Sequence, residues 1–246
     1  MPTERSAEDD APLSGSPRRI PEATVARLPV YQRTLEELLR AGVTTVSSEL
    51  LASAARVNAA KVRRDLSLLG SFGTRGAGYD TAFLIKQIDH RLGLDQVWPV
   101  VIAGVGNLGR ALARSQGFAA RNFDVVGLID SDPHIVGLVV DGIRVRPPED
   151  LPDIMAEAHP AIGVITVPAG AAQHVADLLV GAGVRSLLNF APQVLDVAAD
   201  VLIRYVDLSI ELQILSFFEA QRQTASDEPA EPMPVLGSSG RTPRVG

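Results

Sequence analysis

The spacing of apolar positions changes near residue 95 and divides the chain into two regions. Up to that point apolar residues recur three or four positions apart, the period of helices that bury one face. Between residues 98 and 206, unbroken runs of β-branched and aliphatic residues alternate with glycine turns and helical stretches, which is typical of buried parallel strands joined by helices. The pattern predicts an α/β chain in which a helical domain precedes a doubly wound parallel sheet.

Two short helices joined by a tight link are predicted in the N-terminal region. A longer helix over residues 29–41 comes first. A helix over 49–55, with serine N-cap candidates before it, and a helix over 59–69 that ends at Gly70 follow. Two short helices joined in this way suggest a helix-turn-helix within residues 31–70.

The helix over 59–69 has an outer face that is small or basic. Val62, Leu66 and Leu69 fall on one side and predict the buried stripe. The outward positions of its first two turns are those of a helix that can enter a DNA major groove. A helix that only faces solvent more often mixes glutamate with lysine. The candidate DNA-binding residues on it are Lys61, Arg63, Arg64 and Ser67. A surface helix in an all-helical subdomain is the alternative.

A glycine-rich segment after this helix predicts a small hairpin. Residues 71–79 carry three glycines and two aromatic residues around Arg75, so the tip can approach another backbone closely. At such a tip Arg75 would reach a minor groove, although an ordinary exposed turn arginine is the alternative. A helix-turn-helix followed by a hairpin is a winged-helix arrangement, and the two features together favour DNA binding. A helix over 81–92 then leads to the second domain.

A nucleotide-binding turn is predicted after the apolar run 99–103. The residues of this turn are Gly104, Val105, Gly106, Asn107, Leu108 and Gly109. In this pattern the first glycine makes the turn, the second admits a pyrophosphate, and the third lets the next helix, expected over 110–120, pack closely. A second run, 125–129, ends in Asp130, near the spacing of about 20 residues at which an acid meets the adenine ribose. A plain βαβ unit without a ligand is the alternative.

Two later strands extend the predicted sheet over residues 162–167 and 186–190. Loops that follow parallel strands lie on the ligand side of the sheet. The residues expected to frame the far end of the dinucleotide are Thr166, Val167, Pro168, Asn189, Phe190 and Ala191. His134, His159 and His174 have no carboxylate or second histidine at catalytic spacing, so we nominate no catalytic residue and no metal ligand.

The last predicted helix, over residues 207–224, is apolar on nearly every side. If such a helix packed only on the surface of its own domain, the apolar side chains on its other side would be exposed to water. The pattern therefore favours a helix that packs between two subunits. Burial in one large core is the alternative. Asp207 stands where an N-cap belongs.

Composition narrows the class of protein. The 246 residues include no cysteine, which excludes disulfides, thiol catalysis and cysteine-ligated metals. The net charge is −6, but residues 51–91 hold seven basic and three acidic side chains and so carry +4, an asymmetry that can mark a nucleic-acid footprint. Residues 1–19 and 225–246 are polar and predict disordered tails. We find no signal peptide or membrane span, so the cytoplasm is the default location.

These pieces together resemble the Rex family of redox-sensing transcriptional repressors, over roughly residues 20–223. The stretches that carry the resemblance are Arg63-Arg64-Asp65-Leu66-Ser67, Leu69-Gly70-Ser71-Phe72-Gly73-Thr74-Arg75-Gly76, Asn189-Phe190-Ala191-Pro192 and Val206-Asp207-Leu208. The resemblance implies a homodimer that binds double-stranded operator DNA with its winged helices, senses the NADH to NAD⁺ balance in a Rossmann domain, and swaps its C-terminal helix into the partner. It further implies that NADH closes the dimer and releases it from the operator.

The resemblance also implies residues that couple the two ligands. An arginine of the first long helix falls at Arg33 and an aspartate at the swapped helix falls at Asp207, while the position at which some members carry a tyrosine is Ser115. The expected domains are a winged helix over 20–95 and a Rossmann domain over 96–206. A nicotinamide-dependent dehydrogenase with an accessory domain, and a DNA-binding module with a vestigial nucleotide fold, are the alternative functions.

Overall fold

The computed structural model describes residues 20–70 and 78–227, with side chains as far as residue 223. The chain forms two compact units. Among the described residues, the first contains those up to Trp98 and the segment Gln116–Asp124, and the second contains Pro99–Ser115 and those from Val125 onward. The expected tail 1–19, most of the expected tail 225–246 and the hairpin tip with Arg75 lie outside the described residues.

The first unit is helical with a small antiparallel sheet. Its elements are α1 (Glu22–Val25), α2 (Leu28–Arg40), β1 (Thr45–Val46), α3 (Ser48–Ala54), α4 (Ala59–Leu69), β2 (Tyr79–Asp80) and α5 (Thr81–Leu92). The pairing of β1 with β2 brings the segment after α4 back beside the segment before α3. Of the hairpin expected over residues 71–79, only Gly78 and Tyr79 lie among the described residues, so this strand pair leaves the hairpin itself a prediction.

Local sequence explains where these helices begin and end. Pro29 lies in the first turn of α2, where a missing N–H costs nothing. The side chains of Ser47 and Asn58 accept hydrogen bonds from the first turns of α3 and α4. Gly93 ends α5 in the left-handed conformation, φ 71°. The boundaries predicted for α4 and α5 agree with the structure for this reason.

The buried faces of these helices meet in one core. Leu28 and Tyr31 from α2, Leu51 from α3, Leu66 from α4 and Leu84 from α5 are all fully buried in it. The predicted inward stripe of α4 therefore faces its neighbours, whereas Lys61, Arg63, Arg64 and Ser67 remain at the surface.

The second unit is built on a large sheet with helices. The strands are β3 (Trp98–Ala103), β4 (Phe123–Ile129), β5 (Val139–Val140), β6 (Ile143–Arg146), β7 (Ile162–Ile165), β8 (Ser186–Asn189) and β9 (Leu202–Tyr205). Its helices are α6 (Asn107–Ala113), α8 (Leu151–Ala158) and α9 (Ala169–Gly181), with a 3₁₀ turn at Pro148–Asp150, while α7 (Gln116–Ala119), which follows α6 in the chain, belongs to the first unit. The 20-residue helix α10 (Leu208–Asp227) follows and extends three residues into the expected tail.

The described strands are arranged in the order β5-β6-β4-β3-β7-β8-β9. Strands β4 and β6, β3 and β7, β7 and β8, and β8 and β9 are parallel, whereas β5 is an antiparallel edge strand. From β3 the chain moves outward in one direction and then returns to add β7 on the other side of β3. This is the doubly wound Rossmann order, and its topological switch point lies between β3 and β7.

The helix after the glycine turn differs from the expectation of one helix over 110–120. It begins three residues earlier, at Asn107, because Gly106 already serves as its N-cap. It ends at Ala113, where Arg114 leaves the helical conformation and the Ser115 N–H bonds the Leu112 carbonyl three residues back. The separate short helix α7 then forms in a segment that belongs to the first compact unit.

Helix α10 exposes almost all of its apolar side chains. The exposed ones are Leu208, Ile210, Leu212, Ile214, Leu215, Phe217 and Phe218. The alternative of burial in the core of its own domain is therefore wrong. Among the described residues, no helix is both long and apolar enough to cross a bilayer.

Candidate functional site

The turn after β3 sits at the switch point of the sheet and touches the end of β7. Gly104 has φ +92°, and a Cβ on it would lie 2.8 Å from the carbonyl oxygen of Thr166. The Thr166 hydroxyl donates a hydrogen bond of 2.6 Å to the Gly104 carbonyl oxygen. Thr166 is thus the residue that fastens the two strand ends together, and Gly104 is required by both conformation and space.

The two later glycines of the turn have opposite surroundings. A Cβ on Gly109 would lie 2.0 Å from the Gly104 carbonyl oxygen, so the first turn of α6 packs directly on the turn. A Cβ on Gly106 would meet nothing within 4 Å, and the residue is exposed. Gly109 thus permits close packing within the protein, and Gly106 leaves its backbone open to a ligand.

Asp130 at the end of β4 holds the turn from the other side. Its Oδ2 accepts a hydrogen bond of 2.6 Å from the Val105 N–H, and its Oδ1 accepts one of 2.9 Å from the Asp132 N–H. The Arg110 Nε donates to the Val105 carbonyl oxygen at 2.8 Å, a contact the sequence did not indicate. Each carboxylate oxygen keeps a further acceptor position, which a ribose hydroxyl can use.

A cavity of about 330 Å³ opens beside this turn within the second unit. It is lined by Ala103, Gly104, Ile129, Asp130, Ser131, Pro148, Glu149, Val167, Ala171, His174, Val175 and Leu178. Gly104, Asp130 and Val167 are the predicted cofactor-binding residues that line it. Sequence reasoning missed the contribution of α9, although Ala171, His174 and Leu178 recur at helical spacing just after the end of β7.

The loop after β8 does not line this cavity. The buried Asn189 side chain bonds its own loop, accepting from the Ala191 N–H at 2.9 Å and donating to the Gln193 carbonyl oxygen at 3.0 Å. The Phe190 N–H bonds the Ile165 carbonyl oxygen and so ties the loop to β7. Through these hydrogen bonds the Asn189 side chain shapes the loop, and its contact with a cofactor stays a prediction. Pro168 is the exposed N-cap of α9, and Asn107 and Leu108 are exposed in the first turn of α6.

Helix α4 presents the predicted DNA-binding side chains at the surface. Lys61, Arg63, Arg64 and Ser67 are all exposed. Arg63, however, forms a salt bridge of 2.7 Å with Glu49 of α3, so the surface around it is less purely basic than the sequence of the helix alone suggested. Arg64 and Lys61 have no salt bridge to another described residue.

A buried carboxylate on the inner side of α4 escaped the sequence analysis. Asp65 is 1% exposed and accepts hydrogen bonds from Thr24, Arg27 and Tyr31. Burial alone would raise the pKa of Asp65, but these donors outweigh it and hold the pKa below its usual value. Burial, followed by the hydrogen bond to Asp65, raises the pKa of Tyr31 to about 12. A single polar residue on a helix gives no local signal of such a cluster.

The two residues expected to couple the ligands lie in different compact units. Arg33 is exposed on α2 and lines a cavity of about 360 Å³ with Pro29, Leu92 and Arg121. The Asp207 Oδ1 accepts hydrogen bonds from the Ser209 N–H and hydroxyl, at 2.8 and 2.6 Å, and these bonds lower its pKa. Asp207 is therefore an N-cap in this structure, as its position predicted.

Two family models match consecutive parts of the chain. Residues 19–67 match a model described as a putative DNA-binding protein N-terminus. Residues 95–193 match a model described as a CoA binding domain. The first match ends within α4, and the second runs from the start of the large sheet to the loop after β8. The two matches follow the division that the period of the apolar residues predicted.

Relatives over nearly the whole chain identify the family. The redox-sensing transcriptional repressor Rex of Streptomyces griseus subsp. griseus is 56% identical over 230 residues, which cover 92% of this chain and 91% of the relative. The Rex of Streptomyces coelicolor is 57% identical over 219 residues, covering 88% and 85%. The chain belongs to the Rex family. It is a redox-sensing transcriptional repressor, a regulator and not an enzyme.

Solved structures agree with this assignment to Rex. The crystal structure of RSP, a Rex-family repressor, matches with a TM-score of 0.77 and 35% identity over 85% of this chain and 97% of that one. RSP has also been solved in complex with β-NAD⁺ and operator DNA, where the TM-score is 0.78 with 35% identity over 86% of this chain and 99% of that one. Its complex with β-NADH matches with a TM-score of 0.76 at 34% identity, covering 85% and 99%.

Proposed function

We propose that this Rex protein binds NADH and NAD⁺ at the turn after β3, binds a double-stranded operator through α4, and releases the operator when it holds NADH. The observation that carries the proposal is the glycine turn at the switch point, open at Gly106, packed at Gly109 and flanked by Asp130. The RSP complexes support the same pair of ligands by similarity, because that repressor was solved with β-NAD⁺ and operator DNA and with β-NADH.

The residues of the turn suit a nicotinamide dinucleotide. The open backbone at Gly106 would admit a pyrophosphate, and the first N–H groups of α6, which begins directly after it, lack helical partners. Asp130 offers acceptor positions to an adenosine ribose, while the apolar walls of the cavity at Ile129, Val167 and Leu178 suit a purine ring. When bound, the cofactor supplies the redox signal as the difference between its two oxidation states. The protein supplies recognition and orientation.

The DNA interface that we propose is the exposed face of α4. Arg64 and Ser67 would contact base edges, and Lys61 and Arg63 would contact phosphates. Arg75, which lies outside the described residues, would reach the minor groove. Since Glu49 already pairs with Arg63, we expect Arg63 to contribute less than Arg64. Since bacterial operator DNA lies in the cytoplasm, we expect the protein to act there.

We propose that α10 is the dimer element and is swapped into the partner subunit. Seven large apolar side chains on it are exposed in the single chain, far more than an isolated surface helix carries. A twofold dimer presents two α4 helices to a palindromic operator whose half-sites lie one or more helical turns apart. Arg33 and Asp207 would then couple the cofactor state to the DNA-binding unit by pairing with each other in one of the two dimer arrangements.

One titration tests this function. Binding of the full-length dimer to its operator is followed by fluorescence anisotropy while the ratio of NADH to NAD⁺ is raised at constant total cofactor. We expect operator affinity to fall as the NADH fraction rises. If NADH binds more tightly to the dimer arrangement that does not fit the operator, it lowers the population of the arrangement that does, and the difference between its two affinities sets the size of the effect. DNA binding that is insensitive to both cofactors would support a module with a vestigial nucleotide fold instead.

A further inference from the structure

The carboxylate of Asp65 is buried on the inner side of α4, whereas Arg64 and Ser67 are exposed at the surface. Four hydrogen bonds reach it from the N-terminal segment. The Thr24 hydroxyl donates to Oδ1 at 2.9 Å and the Tyr31 hydroxyl to Oδ2 at 2.8 Å. The Arg27 guanidinium donates to both oxygens, from Nη2 to Oδ1 at 2.8 Å and from Nε to Oδ2 at 2.7 Å.

These bonds differ in kind from the other contacts of α4. Val62, Leu66 and Leu69 pack on the core through apolar surface, which permits small rotations and slides of the helix. A bidentate pair between a guanidinium and a carboxylate is planar and directional, so it fixes both the rotation of α4 about its axis and its position relative to the N-terminal end of α2, where Arg27 is the N-cap. The pair is also shielded from solvent on the carboxylate side, where Asp65 is 1% exposed.

We propose that Asp65 is a positioning residue for operator recognition: through Arg27, Thr24 and Tyr31 it sets the rotation of α4 and so aims Arg64 and Ser67 at the bases. A helix turns as one body, with successive side chains about 100° apart around its axis. A rotation of α4 that displaces Asp65 therefore redirects Arg64 by the same angle. Asp65 does not touch DNA itself. This inference rests on the proposed DNA-binding role of α4.

A purely structural ion pair would have a different effect from a positioning pair. If Asp65 only stabilised the fold, its loss would lower the melting temperature and leave the folded protein with unchanged sequence discrimination. If it aims α4, its loss would weaken contacts to base edges more than contacts to phosphates, because base readout depends on precise side-chain placement. The ratio of operator affinity to non-specific affinity therefore separates the two roles.

The experiment uses the full-length, cofactor-free protein and two duplexes of equal length. One is an operator selected from a random pool by the wild-type protein, and the other is the same sequence shuffled. We compare Asp65→Asn with Asp95→Asn, which makes the same charge change at an exposed carboxylate paired with His90. We expect Asp65→Asn to lower the affinity ratio about tenfold, and Asp95→Asn to leave it within about twofold of the wild type.

A milder variant covers the case in which Asp65→Asn does not fold. Tyr31→Phe removes one of the four hydrogen bonds with little change of volume, and we expect a drop in the ratio of about threefold. A wild-type ratio in both folded variants, or an equal loss of affinity for both duplexes, would overturn the inference. If Asp65→Asn does not fold, Tyr31→Phe decides alone. A wild-type protein that does not distinguish the two duplexes would instead refute the proposed function.

Discussion

Gly109 and Gly104 are packed so closely that a Cβ on Gly109 would lie 2.0 Å from the Gly104 carbonyl oxygen. That oxygen also accepts the hydrogen bond from Thr166, so it cannot move without loosening the link between β3 and β7. The contact explains why a helix can start so soon after the end of β3. Because a Cβ on Gly106 would meet nothing within 4 Å, alanine at Gly109 and alanine at Gly106 should have different effects on stability.

We expect Gly109→Ala and Gly106→Ala to impair NADH binding for different reasons. Gly109→Ala should lower the melting temperature by several degrees as well, since backbone must shift, whereas Gly106→Ala should melt near the wild-type temperature because its Cβ meets nothing. Calorimetric titration and thermal melting measure the two effects. Gly170→Ala, on α9 with open space around it, is the matched control and should bind NADH normally. Normal NADH binding by Gly106→Ala would contradict the pyrophosphate site.

The sequence predicted those parts of the fold that are determined by neighbouring residues. The bounds of α4 follow from Asn58 and Gly70 at its ends, and the switch-point turn follows from the spacing of its glycines. It did not predict the break at Ser115, because Ala113, Arg114 and Gln116 around it favour a helix and an isolated serine or glycine does not by itself mark a helix end. It missed the Asp65 cluster for a related reason: the partners lie 34 to 41 positions away.

Arg64→Ala should weaken operator binding by about 1 to 3 kcal/mol if the side chain contacts a base. NADH binding should be unchanged, since Arg64 is exposed in the first compact unit and the glycine turn lies in the second. Anisotropy at several salt concentrations separates a base contact from a phosphate contact, which would show mainly in the salt slope. The matched control is Arg144→Ala, which removes the same charge from an exposed position of β6. Wild-type affinity with a wild-type salt slope would show that α4 is not the recognition helix.

Asp130 should make the protein prefer NADH to NADPH. A carboxylate accepts hydrogen bonds from a ribose 2′-hydroxyl but repels a 2′-phosphate, so Asp130→Asn should improve NADPH binding relative to NADH by about tenfold. Asp132→Asn makes the same charge change two residues later, where the side chain caps the His134 N–H, and should have little effect. Calorimetry with both cofactors measures the ratio. A wild-type protein that binds NADPH as tightly as NADH would refute the role of Asp130.

The exposed apolar side chains of α10 should be the dimer contacts. Phe217 and Phe218 pack edge to face with ring centres 5.4 Å apart, and both are at least half exposed in the single chain. Phe218→Glu should therefore place a charge in the interface and convert the dimer to a monomer at micromolar concentration. Light scattering after size exclusion measures the mass. Val194→Glu is the control, because Val194 is 85% exposed outside α10. A dimeric Phe218→Glu protein would place the interface elsewhere.

Asp207 caps α10 in the single chain, and the remaining question is whether it also pairs with Arg33 in the dimer. Asparagine caps about as well as aspartate, so Asp207→Asn should preserve the helix and the dimer. If Asp207 pairs with Arg33 in one of the two dimer states, the loss of its charge changes the free-energy difference between those states. The ratio of operator affinities without and with saturating NADH should then differ from that of the wild type by about threefold or more.

A double-mutant cycle identifies the partner of Asp207. If the two side chains form a pair, Arg33→Gln should change the NADH effect as Asp207→Asn does, and the double variant should change it no further than either single variant. Asp141→Asn is the charge-matched control, since Asp141 is exposed and has φ 50°, a conformation that asparagine tolerates. Anisotropy with and without NADH on the four proteins of the cycle gives the coupling directly. Equal NADH effects in the wild type and Asp207→Asn would leave Asp207 as an N-cap alone, and additive effects of the two single variants would mean that the residues act independently.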